Sequence, residues 1–164
     1  MSDLLRVRLL AGNLVAEPAW RFLDWCLAKG ADELTLSWND AGGDLNTAGQ
    51  DRAALETLLG PFRQAAAERP VPDPAGADRT VRRTVELFRL TAESLAALQE
   101  LDPAGPFAWD PGRAAALEDL VLFRGGRLFL AAFGRDAEAL LWLSRSEILE
   151  LELLGLPHRT EGPA

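Results

Sequence analysis

One segment constrains the fold of this 164-residue chain more than any other. Residues Leu120 to Phe133 (LVLFRGGRLFLAAF) are two apolar runs joined by Gly125-Gly126. Two glycines between strand-like runs predict a two-residue hairpin turn, because the turn that matches strand twist needs φ > 0 at both central residues. Arg124 and Arg127 then face each other at the tip, a mildly repulsive pair that belongs in solvent. Both faces of the hairpin are apolar: Leu120, Leu122 and Phe129 on one, Val121, Phe123, Leu128 and Leu130 on the other. Such a hairpin must be covered on two sides, which places it in the middle of a sheet. A third run, Ala139 to Leu143, extends it into a three-strand antiparallel meander. Ser144 with Glu147 is a capping-box pattern, so Arg145 to Leu154 reads as a C-terminal helix ended by Gly155 and Pro157. The alternation Leu149-Glu150-Leu151-Glu152-Leu153 also fits a strand; the cap and the terminator decide for helix.

The rest of the chain supplies strands and helices in alternation. Leu4 to Leu10 reads as a strand, with Leu5, Val7 and Leu9 on one face. Glu17-Pro18 opens a helix whose stripe is Phe22, Leu23, Cys26 and Leu27, with Gly30 after it as a C-terminal stop. Trp20 and Trp25 flank that stripe and widen the buried face. Glu33 to Trp38 is a second strand, favouring a right-handed crossover if it neighbours the first in parallel. Thr47 with Gln50 is a further capping pattern. It precedes a helix through Leu55, Leu58, Leu59 and Phe62 to about Glu68, kinked or split at Gly60-Pro61. Pro70 to Ala77 reads as an extended surface loop and Thr80 to Leu90 as a long strand. Thr91 caps a helix with Leu95, Leu98 and Leu101, Asp102 to Trp109 is a loop, and Asp110-Pro111 opens a short helix through Leu117. Leu87 to Thr91 followed by Leu95 and Leu98 echoes Leu140 to Ser144 followed by Ile148 and Leu151: strand, hydroxyl cap, helix. The expected fold is α+β: a single domain over residues 1–156 in the order β-α-β-α-β-α-β-β-β-α, with a mixed sheet of about six strands. Residues 157–164 read as a flexible tail.

Composition bounds the chemistry. A single cysteine, Cys26, excludes an internal disulfide framework, and a single histidine, His158, excludes a His-pair zinc site. Cys26 sits on an apolar stripe and reads as core, and His158 lies in the tail. No Gly-rich phosphate loop has the required spacing. No apolar run reaches membrane-span length, and Arg6 and Arg8 interrupt the first one, so the reading is of a cytoplasmic chain without a membrane partner. The net charge of −8 repels phosphate backbones and argues against nucleic acid. Sixteen arginines against one lysine, with no tyrosine, look like a GC-rich, bacterial coding bias.

The acid is concentrated. Asp32, Glu33, Asp40, Asp44 and Asp51 fall between Ala31 and Asp51 with no Lys or Arg among them. Asp40, Asp44, Asn46 and Asp51 match four positions of a calcium loop, but Gly42 stands at a ligand position and Leu45 replaces the turn glycine, so no metal or other cofactor is expected. Arg79, Arg82, Arg83 and Arg89 form one basic stretch and read as edge-strand charges. Asp110, Glu118 and Asp119 bracket a short helix beside the loop aromatics Phe107 and Trp109. Catalytic residue types are sparse. The expectation is a non-enzymatic interaction module that takes a basic protein partner, like immunity or antitoxin proteins by class analogy. Its candidate contact residues are Trp38, Asp40, Asp44, Asp51, Phe107 and Trp109, and a homodimer is compatible with it. The alternative is a small-ligand binder or carboxylate enzyme with a cleft near Trp38, Asp40 and Asp44, or near Trp109 and Asp110.

Overall fold

A computed structural model describes residues 3–38, 53–73, 76–108, 117–133 and 136–163, with the backbone alone at 38, 76–78, 117 and 118. In chain order the elements are β1 (Leu5–Leu10), α1 (Glu17–Ala28), β2 (Glu33–Trp38), α2 (53–59), β3 (Arg63–Asp73) and β4 (Gly76–Arg89). There follow α3 (Ala92–Leu101), β5 (Leu117–Arg124), β6 (Arg127–Phe133), β7 (Glu138–Leu143), α4 (Arg145–Leu153) and β8 (His158–Pro163). The fold is α+β. Its eight strands form one sheet in the order β3-β4-β2-β5-β6-β7-β1-β8, and every neighbouring pair is antiparallel.

The predicted hairpin lies at the centre, with β5 and β6 fourth and fifth in that order. Gly125 and Gly126 have φ of 56° and 74°, the left-handed pair the turn requires. The register slips by one residue beyond the turn: Phe123 pairs with Leu128, but Leu122 pairs with Leu130. Phe129 is the extra residue of this bulge. Leu130 therefore joins Leu120, Leu122 and Phe129 on the helix-covered face, opposite to the face strict alternation assigns it.

The sheet differs from the expected mixed, six-stranded one in three places. First, β1 and β2 run in the same direction but are separated by β5, β6 and β7, so α1 does not join parallel neighbours. Second, the helix expected to reach Glu68 stops at residue 59, and a 3-10 turn (Gly60–Phe62) leads into β3. Pro61 has no N–H to continue the ladder, and Arg63 is already extended. Pro70 to Ala77 is thus largely strand and not loop. Pro70 and Pro72 are tolerated because β3 is an edge strand, whose outward N–H groups have no ladder partner to lose. Third, the tail residues His158–Pro163 form β8, the other edge, paired with β1. β4 lies second in the sheet, so Arg82 and Arg83 are not edge charges.

The strand order divides into two equal halves. In β3-β4-β2-β5, chain order gives β2-α2-β3-β4-α3-β5; in β6-β7-β1-β8, it gives β1-α1-β6-β7-α4-β8. Each is a β-α-β-β-α-β unit whose third strand slots between its first and second, the split β-α-β of ferredoxin-like topology. The first unit is inserted between α1 and β6 of the second. The echo in the sequence falls on equivalent elements: β4-Thr91-α3 in one unit, β7-Ser144-α4 in the other. Both caps are true capping boxes, Thr91 with Ser94 and Ser144 with Glu147.

The four helices among the described residues pack on one face, over a cluster that includes Val7, Leu9, Leu23, Cys26, Leu34, Leu98, Leu122, Leu130 and Leu141. Among the described residues the other face has no helix. Its apolar residues Leu87, Val121, Phe123, Leu128 and Ala131 are buried under the long β3-β4 hairpin, which curls across to bring Val71 onto them and β3 against β6. Among the described residues no helix is long and apolar enough to cross a membrane.

Candidate functional site

The curl of β3 is held by charge. Arg69 reaches from β3 over β4 to Glu33 on β2, with Nε and Nη2 each 2.9 Å from a different carboxylate oxygen. Both side chains are about one-fifth exposed. This is the fork-to-carboxylate geometry that arginine supplies and lysine cannot. So one acid of the acid-rich stretch is neutralised by a residue 36 positions away. A second, Asp32, accepts a hydrogen bond from the Gly125 N–H at 3.1 Å and steadies the β5-β6 turn.

Beyond Arg69 the half-barrel of β3-β4-β2-β5-β6 does not close. Between the end of β3 and the ends of β5 and β6 it leaves a cleft of about 800 Å³. Val71, Val85, Val121 and Phe133 give it an apolar floor; Thr35, Ser37, Asp73, Arg83, Asp119 and Asp136 line it with polar groups. Each strand delivers these by period-two alternation: Thr35 and Ser37 follow Glu33, Arg83 lies between Val81 and Val85, and Asp119 precedes Val121. Ser37 Oγ donates to Asp119 Oδ2 at 3.5 Å. Among the described residues the lining carries three carboxylates and one guanidinium. With prolines at 70 and 72, the outer edge of β3 offers no N–H at two alternate positions, so it is a poor template for a further strand.

The candidate residues from the sequence fare unequally. Phe107 is 3 % exposed and belongs to the core, packed on Phe22. Its loop is clamped to α1: Trp20 Nε1 donates to the Pro103 carbonyl, and Ala16 N–H to that of Ala104. At Gly105 (φ 88°) a Cβ would stand 2.8 Å from that of Ala19, which only glycine avoids. Trp38 ends β2 directly after the cleft residues Thr35 to Ser37; its side chain, with all of Asp40, Asp44, Asp51, Trp109 and Asp110, lies outside the described residues. The expected short helix after Asp110 and the Thr47–Gln50 cap lie outside them as well. In the sequence Asp119 stands in an acid group and Arg83 in a basic stretch, whereas Asp73 and Asp136 belong to no such pattern. The usable signal was the alternation of Arg83 with Val81 and Val85.

The single cysteine and the single histidine lie away from the cleft. Cys26 is fully buried on the helix side, and burial raises its thiol pKa well above the ordinary value. His158 is on β8, at the opposite edge of the sheet, with Nδ1 2.8 Å from the Leu156 carbonyl oxygen. Among the described residues no group of three or more His, Cys, Asp or Glu is placed to hold a metal ion.

No protein-family model, curated protein or solved structure matches this chain.

Proposed function

We propose that this chain is a non-enzymatic binding module that receives a basic segment of a protein partner in the open-face cleft. The observation that carries this reading is the lining of the cleft, an apolar floor under three aspartates and one arginine. A lysine or arginine side chain suits it, because the aliphatic stem lies on valine and phenylalanine while the charged head meets carboxylates. The net charge of −8 adds long-range attraction for a basic partner. The prolines of β3 favour entry of side chains over addition of a strand.

The test is titration calorimetry with short peptides that pair apolar residues with Lys or Arg, against neutral and acidic peptides of the same apolar content. The expected result is preference for the basic peptides, weakening with salt. Asp119→Asn with Asp136→Asn lowers their affinity by roughly tenfold. Equal binding of acidic peptides, or indifference to the double substitution, rejects the reading. The cleft volume of about 800 Å³ also lies in the range of small-molecule sites and favours a second reading, a cationic small ligand. Saturable binding of a free arginine ester in place of the peptides is its expected mark.

A further inference from the structure

On the opposite side of the sheet, α4 carries an apolar ridge that the fold leaves in water. Leu149 and Leu153, one turn apart, are 60 % and 88 % exposed, while Ile148 and Leu151 are buried. Beside the ridge, between α4 and the first turns of α1, runs a groove of about 300 Å³. Leu14, Pro18 and Phe22, with the charged Glu17 and Arg21, line one side, Leu154 and Leu156 the other. At about 100° per residue, Leu149 and Leu153 point outward from α4 and Leu154 is turned toward α1. Leu154 is therefore the shared border of ridge and groove.

We infer that this face binds a second copy of the chain, in a twofold dimer that seats the ridge of each copy in the groove of the other. A patch holding both a protrusion and an adjacent matching recess is self-complementary, which is what a twofold interface requires; the axis passes beside Leu154. Charge points to the same occupant. The helical wheel puts Glu152 on the flank of α4 away from α1. A copy seated this way lays that flank against the partner's α1, where Arg21 stands. Glu152 is 57 % exposed in the single chain, with Oε1 4.0 Å from His158 Nε2, and Arg21 is 78 % exposed with an ion pair to Glu17 of its own helix. The arrangement forms a Glu152–Arg21 pair at each end of a leucine core, an apolar centre with a charged rim. It leaves the cleft on the helix-free face open.

Sedimentation velocity on the full chain across the micromolar range tests this. The expected result is a monomer that becomes a dimer with rising concentration. Leu153→Glu, at a side chain almost wholly in water, keeps the monomer's melting temperature and abolishes the dimer. Glu152→Arg weakens it by roughly tenfold, and adding Arg21→Glu restores most of the loss. A chain that stays monomeric throughout, a dimer that Leu153→Glu leaves intact, or a charge swap without rescue overturns the inference.

Discussion

At the scale of single residues, much of the local structure rests on side chains that satisfy backbone groups. Ser144 Oγ accepts from the Glu147 N–H, and Glu147 Oε2 accepts the Ser144 N–H at 2.7 Å. The same Glu147 takes a hydrogen bond from Arg124, whose guanidinium lies over the Phe129 ring and also donates to the Lys29 carbonyl. One residue thus joins the start of α4 to the tip of the β5-β6 hairpin and the end of α1. Burial disfavours the Glu147 carboxylate, but the bonds from Arg124 and Ser144 outweigh it and hold its pKa below the usual range. Ser144→Ala is expected to cost about 1 kcal/mol in urea denaturation, the ordinary price of a lost N-cap. The cap itself was readable from Ser-x-x-Glu. Its tie to Arg124 was not, because nothing in local spacing brings residues 124 and 147 together.

At the scale of elements, the two edges of the sheet are held differently. β3 is fastened by Arg69 to Glu33 and blocked by its prolines. β8 is fastened by Glu161, which sits between two arginines of β1: Arg8 Nε at 2.6 Å and Arg6 Nε at 3.0 Å. Glu138 of β7 closes the row on Arg8 at 2.7 Å. The Arg8 hydrogen bond holds the Glu161 pKa below its ordinary 4.5, against the opposing effect of burial. A lowered folded-state pKa means that this contribution is complete above about pH 4.5 and is lost as pH falls through the folded value. Melting temperature is therefore expected to fall on acidification below that point, with a shallower fall in Glu161→Gln. Equal slopes for both proteins would remove Glu161 from the account. His158 to Pro163 has no apolar run to mark a strand, so in the sequence β8 looks like a tail. The strand forms because β1 presents an open ladder and two arginines to it, a tertiary circumstance.

At the scale of the whole molecule, two β-α-β-β-α-β units share one sheet. The joint runs through β5 and β6, the last strand of the inserted unit and the second strand of its host. Because Leu122 and Leu130 across that joint lie in the same helix-covered core, the halves have no separate interiors. Unfolding is expected as one calorimetric transition with equal van't Hoff and measured enthalpies. Leu122→Ala, at a side chain of 0 % exposure, should lower stability by about 2–5 kcal/mol without splitting that transition. Two resolved transitions would show the halves to be independent.

The sequence alone determined what depends on neighbours a few residues apart. The glycine pair set the turn, Thr91 and Ser144 set the caps, and apolar spacing set the α1 stripe and most of the strands. These are legible because backbone geometry restricts each choice locally. Only the tertiary structure decided the strand order, the two edges and the cleft. The chain's apolar faces can be buried by more than one order of strands, and the selecting contacts join distant residues: Arg69 to Glu33 across 36 positions, Arg8 to Glu161 across 153. The cleft exists because β3 curls onto β6 at one end and stops short of it at the other. The β5-β6 hairpin sets Asp119 opposite Phe133, close to Asp136, and only the curl of β3, which no local pattern encodes, brings Asp73 to them.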